Sequence, residues 1–369
     1  MRKYRIHNSF FLTIAISVFG PFSLQAQDKD VPRLVAALLG DTPLIEDLRE
    51  LTDEIGGRPT GSGQNLNSVE WALNKFQQAG VSARKEAFKM PALWLENSCS
   101  AKISRDVTFS PRVAAMPFST ATPKAGLTAP LVDGGTGTRG DFDRLGDAAH
   151  GAFVLIETEE LKDLGGLFKE YADAPGIEKR AFAADVAGVV YVGSRSRNVL
   201  YRHNASRQSK NRHPMLVMER DGGLRAMRLL RAGKKLDLTA WIDINSGGPY
   251  DSYNVIGEIK GSEKPEEIVL IGAHLDSWGL GTGALDNGCN VALVIDLARQ
   301  IKRLSLKPRR TIRFALWNGE EQGLIGSWGY TKSHLSEMDH HVMASSFDLG
   351  SGKILGFFTN GRSDLLPRL

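Results

Sequence analysis

Residues 311–317 read TIRFALW, an almost unbroken apolar run. A strand of that kind offers no face to water, so it belongs inside a parallel sheet covered on both sides. The neighbouring sequence supplies both sheet and cover. Strand-like segments at 254–261 (NVIGEIKG), 267–274 (EIVLIGAH) and 341–348 (HVMASSFD) alternate with helical segments near 287–304 and 322–334. In the first of those helices Val291, Val294, Ile295, Ala298 and Ile301 make one apolar stripe. Strands alternating with helices predict an α/β fold: a mixed, mainly parallel sheet with helices on both faces.

Upstream, residues 32–56 read as helical and GGRPTGSG (56–63) as a loop; a second helix over 65–79 stops at Gly80, and a strand follows over 81–89. The character changes at STATPKAGLTAP, which is made largely of proline, threonine, alanine and glycine. Short elements then alternate: a strand at 151–158, a helix running into a strand at 180–194, a strand and helix at 214–233, and a strand of strict period two at 236–244. SGGPYDSYN (246–254) reads as a second hinge. These boundaries predict a small α/β unit over 121–245, inserted in a larger domain made of 27–120 and 246–369.

The N-terminus carries a targeting pattern. Arg2, Lys3 and Arg5 precede FFLTIAISVFG (10–20) and then PFSLQAQD, so residues 1–26 are expected to be a signal peptide cut after Ala26. The apolar stretch is shorter than the ~20 residues that span a bilayer. The expected location is therefore secreted or periplasmic, with no membrane association after signal removal. Over the whole chain 46 basic residues face 42 acidic ones; without Arg2, Lys3 and Arg5 the balance is 43 to 42, which gives no reason to expect nucleic acid. Cys99 and Cys289 could form one disulfide, but small buried side chains suit them better, and the fold rests on its core and on metal. The stretch from Ser194 to His213 carries Arg195, Arg197, Arg202, Arg207, Lys210 and Arg212 without an acid, and reads as a solvated loop.

AHLDSWGLGTGALDNG (273–288) carries the chemistry. Its glycines do not follow G-x-G-x-x-G, LDSW intervenes before the first of them, and no Gly-Lys-Ser/Thr follows, so a nucleotide loop is excluded. His274 ends a strand. Asp286 precedes a helix, Glu320 and Glu321 follow the apolar strand, and Asp348 ends the next. In an open parallel sheet such strand ends share one edge. One imidazole among several carboxylates would be repulsive without a cation, and zinc takes neutral histidine nitrogen and carboxylate oxygen. If Glu321 binds metal, Glu320 points elsewhere and is free to act as a base. Asp276, two residues after His274, is placed to hold the other ring nitrogen and fix the tautomer.

GAHLDSWGLGTGALDNG, LWNGEEQGLIGS and SSFDLGSG resemble the metal-site segments of the co-catalytic zinc exopeptidases, the group of bacterial aminopeptidases and glutamate carboxypeptidase. HLDSW and LW..EEQG match its carboxypeptidase Q branch best. IGGRPTGS and NVIGEIKG are also similar to that group, and the insertion resembles a protease-associated domain. The resemblance implies two zincs. His274 and Asp348 would bind one, Asp286 would bridge both, Glu321 would bind the second, Glu320 would be the general base and Asp276 would orient His274. Gly279 departs from an acid often found after the tryptophan, and Ser346-Phe347 replaces a more polar pair. The group's second zinc also takes a histidine near the C-terminus. His334 closes a helix here, and His340 and His341 begin the strand that ends at Asp348, more than ~20 Å away at ~3.3 Å per residue. None can serve, so the sequence predicts a C-terminally truncated chain with one zinc short of its histidine. It is expected to be an exported metallodipeptidase or aminopeptidase that hydrolyses dipeptides or chain-end residues with a zinc-activated water. The alternative is an inactive remnant or binding protein. A homodimer is left open.

Overall fold

Residues 29–202, 211–348, 350–353, 356, 359 and 361–368 are described by the structure, a computed structural model. The expected signal peptide and the middle of the basic stretch lie outside the described residues. The chain divides into two compact units between Asp41 and Thr42. In the first, the described helix is α1 (Asp30–Leu38), with no buried residue.

The second unit begins with α2 (Leu44–Arg49), which widens into a π-turn over Glu50–Ile55. Helix α3 (Gly63–Gln78) follows; the Ser62 hydroxyl caps it by accepting from the Asn65 amide, and Val69, Ala72 and Phe76 are buried. After β1 (Ser82–Met90) the chain passes through β2 (Leu93–Arg105), β3 (Val113–Ala115), β4 (Leu127–Asp133), α4 (Arg139–Leu145), β5 (Phe153–Ile156), α5 (Leu164–Ala183), β6 (Gly188–Val192), β7 (Met215–Met218), α6 (Arg220–Arg231) and β8 (Leu236–Gly247). It returns with β9 (Tyr250–Ile259), β10 (Lys264–His274), α7 (Cys289–Arg303), β11 (Arg310–Trp317), α8 (Ile325–Ser333) and β12 (His341–Ser346).

Two sheets result. The first has five strands in the order β1-β9-β11-β10-β12. The TIRFALW run is its central strand: Phe314, Ala315 and Leu316 have no exposed surface. Phe314 meets Phe76 of α3 on one face, with ring centroids 6.1 Å apart. On the other face Ala315 and Trp317 pack with Tyr330 of α8. Helices therefore cover both faces, as expected. Strand β10 runs parallel to β11 and β12, whereas β9 is antiparallel to β1 and β11. The parallel character is thus confined to the β11-β10-β12 half. The link from β9 to β10 is too short to carry the chain back to its starting edge, so β10 runs opposite to β9.

The second sheet has seven strands in the order β2-β8-β4-β5-β6-β7-β3. It corrects the expected start of the insertion at residue 121. Strands β2 and β3, both upstream of that point, belong to this sheet. The β2–β8 ladder runs from Leu93↔Gly247 to Arg105↔Leu236. The proline-rich stretch read as a boundary is a connection held within the sheet, where the Thr122 amide donates to the Ile242 carbonyl at 3.0 Å. Helix α5 starts at Leu164 behind its Asp163 cap, well before the helix expected from residue 180.

The basic stretch is not wholly solvated. Arg202 is 5% exposed and paired with Glu96 at 2.7 Å. Arg195 lies 3.8 Å from the centre of the Tyr201 ring. Both cysteines are free and half-buried. No helix among the described residues is long and apolar enough to cross a membrane.

Candidate metal centre

Strand direction builds the site. His274 is the last residue of β10 and stands in register with Trp317, the last of β11. Gly272 is in register with Ser346, so Asp348 lies just past the same end of β12. Glu320 and Glu321 leave the end of β11. Asp286 lies in a distorted turn before α7, and its bond to Asn287 is cis. The expected common edge therefore exists.

His274, Asp286 and Asp348 offer ligand atoms that all lie within 4.8 Å of one another. His274 Nε2 is 2.9 Å from Asp286 Oδ1 and 3.5 Å from Asp348 Oδ1. Two donors bonded at ~2.0–2.1 Å to one tetrahedral zinc would stand about 3.3 Å apart, so these separations suit a shared ion. The electrostatics agree. Burial opposes charge on His274, yet contacts with Asp276, Asp286 and Asp348 raise its pKa well above the usual imidazole range. Burial, then the charge of Asp286, pushes the Glu321 carboxyl well above the carboxylate range. Burial likewise lifts Glu320 to about 7, with Asp276, Asp348 and Asp286 adding to the rise. A cluster that resists holding its own negative charge is one that a cation would relieve. Glu321 is coupled to this set by charge but stands outside the close triad.

The role expected of Asp276 needs correction. The ring nitrogen Nδ1 of His274 lies 2.9 Å from the main-chain oxygen of Asp276, while the nearest carboxylate oxygen is at 3.7 Å. The backbone carbonyl can only accept, so Nδ1 carries a proton and Nε2 is the ring nitrogen turned towards Asp286 and Asp348. The Asp276 carboxylate is used elsewhere. It accepts from the Thr60 hydroxyl at 2.8 Å and from the amides of Glu320 and Glu321 at 3.3 and 3.4 Å. It braces the glutamate pair.

Two residues were missed in the glycine-rich loop. Thr60 also accepts the Gly319 amide at 3.0 Å. Arg58 is fully buried, and its guanidinium donates to the carbonyls of Gly56, Leu275, Thr282 and Gly283. Burial lowers its pKa to about 10, so it remains charged at neutral pH. Close approach forces glycine here: a Cβ on Gly57 would lie 2.6 Å from the Gly281 carbonyl oxygen. An arginine set between Gly57 and Pro59, in a stretch read only as a loop, was the available signal. Asn287 and Asn290 complete the frame by donating to the carbonyls of Phe347 and Gly350, on either side of Asp348. Of the histidines downstream of Asp286, His334 is engaged with Glu86 and His341 with the Tyr330 hydroxyl.

A histidine and several carboxylates gathered at the carboxyl edge of an α/β sheet make up a candidate cation-binding centre. Comparison with known proteins gives the family. Residues 254–364 match the family model of peptidase family M28. A peptidase M28 precursor from Shewanella amazonensis is 31% identical, superposes with a TM-score of 0.80, and is matched over 88% of this chain and 74% of its own. The chain belongs to peptidase family M28. Carboxypeptidase Q from Bos taurus is 26% identical over 311 residues, covering 83% of this chain and 64% of the relative, so the chain spans under two thirds of that protein. The fold is shared with BSAP, a zinc aminopeptidase from Bacillus subtilis: TM-score 0.63 at 23% identity, over 83% of this chain and 68% of that one.

Proposed function

We propose that this chain is a zinc-dependent exopeptidase that hydrolyses dipeptides or chain-end residues. The observation that carries the reading is the convergence of His274, Asp286 and Asp348 within 4.8 Å beside a Glu320 carboxyl lifted to about 7. His274 and Asp348 would hold one zinc, Asp286 would bridge, and Glu321 would bind a second. Bound zinc supplies Lewis acidity, which polarises a carbonyl and acidifies water. Glu320, poised near neutrality, takes a proton from the attacking water and passes it to the departing amine. Asp276 holds the two glutamates through their amides, and its carbonyl orients His274. The name of carboxypeptidase Q and that of the zinc aminopeptidase support exopeptidase chemistry without choosing the chain end. The basic and apolar N-terminal pattern supports export, and a separate seven-stranded sheet between β1 and β9 supports an inserted domain of protease-associated type.

The test compares wild type with Glu320→Gln in zinc content and in hydrolysis of free, N-acetylated and C-amidated dipeptides. Zinc retained with turnover reduced by ~10²-fold or more supports the reading. Blocking the required end abolishes cleavage and identifies it. Zinc-loaded wild type inert on all these substrates, or a mutant with full turnover, overturns it.

A further inference from the structure

The loop from Leu275 to Gly283 joins two of the proposed ligands, His274 and Asp286. Its inner side is held by Arg58. Its outer side touches the other sheet: Trp278 packs against the core of the seven-stranded sheet, although the strand that leads into its loop, β10, belongs to the five-stranded one. The contact is made with Trp94 of β2, edge to face, with ring centroids 6.3 Å apart and planes at 81°. Trp94 is itself fixed. It is 6% exposed, its indole nitrogen donates to the Ser119 carbonyl at 2.9 Å, and Phe118 and Arg202 flank its ring. Ser277, just before Trp278, accepts the Arg58 amide at 3.0 Å.

We propose that Trp94 and Trp278 are positioning residues through which the seven-stranded sheet sets the geometry of the metal centre. An edge-to-face aromatic contact has a defined orientation and is worth more than its buried area alone. Here it clamps the loop against Arg58, and the clamp fixes the spacing of His274 and Asp286. The inserted sheet is then part of the metal site's support while contributing no ligand. Groups that orient ligands typically change metal affinity by ~10- to 100-fold when removed.

The inference rests on the zinc reading above, and its test separates the two. Zinc affinity is measured by competition with a chelator for wild type, Trp94→Ala, Trp94→Phe and Trp278→Ala, alongside hydrogen exchange of residues 275–288 in the metal-free proteins. Both alanine variants are expected to bind zinc ~10-fold more weakly or worse and to exchange faster in that segment, with Trp94→Phe near wild type. A fall in melting temperature with unchanged zinc affinity and unchanged exchange overturns the proposal, because it leaves the pair a merely structural role. If Trp94→Ala does not fold, Trp278→Ala, whose indole is only half-buried, decides. If wild type takes up no zinc, the metal reading fails, and exchange of 275–288 alone decides the positioning claim.

Discussion

Thr60 and Asp276 are joined by a hydrogen bond of 2.8 Å between hydroxyl and carboxylate, and neither side chain reaches water. The threonine also takes the Gly319 amide, and the aspartate takes the two glutamate amides that follow. One loop near the start of the chain thereby shapes the turn that carries the proposed base.

Thr60→Val removes the hydroxyl and leaves Asp276 and the Gly319 amide short of a partner. Buried polar groups left unpaired cost ~1–3 kcal/mol. A matching drop in stability by urea unfolding of the metal-free protein is expected, together with lower peptidase turnover. A variant as stable as wild type would show that water replaces the hydroxyl without loss.

Acid should loosen a second cluster. Burial acts to raise the Glu337 carboxyl, but Arg313 and His334 outweigh it and hold it at about 2 against an ordinary 4.5. A carboxyl with a lowered folded-state pKa stabilises fully above its unfolded value and progressively less as pH falls towards the folded one. The contribution of Glu337 is therefore complete above 4.5 and is lost between 4.5 and about 2. Urea midpoints across that window should fall more steeply for wild type than for Glu337→Gln. Parallel curves would remove Glu337 from the acid response.

The limits of the inserted unit can be tested by excision. Residues 93–247 contain every strand of the second sheet, and their ladder partners all lie within that range. The fragment is expected to melt cooperatively. A fragment of residues 121–245 lacks β2, the partner of β8 along its length, and should aggregate or melt without a transition because β8 becomes an open edge. Equal cooperativity of the two fragments would show that β2 is dispensable.

What the sequence disclosed follows from the range over which each signal acts. The TIRFALW strand, the stripe of α7 and the strand-end placement of His274, Glu320, Glu321 and Asp348 are local patterns with fixed periods. Strand β2 escaped because LWLENSCSAKISR mixes small and polar residues, and only Trp94, Ala101 and Ile103 reach the core. Arg58 and Thr60 escaped because their partners lie more than 200 residues away. Asp276 was read for its side chain, yet the atom facing His274 belongs to the main chain, which residue identity does not reveal. Arg202 was grouped with its basic neighbours, and nothing nearby in sequence announces Glu96.

Arg58 and Leu275 are 217 positions apart, and their bond imposes an order of assembly. At about 5–20 residues per second, Arg58 leaves the ribosome roughly 10–45 s before the carbonyls that will surround it. The seven-stranded sheet, whose pairings close within residues 93–247, can fold during that wait. The proposed metal centre cannot. Its keystone arrives first and its arch last, so a nascent chain that stalls before Leu275 would carry a finished seven-stranded sheet and an unmade candidate site.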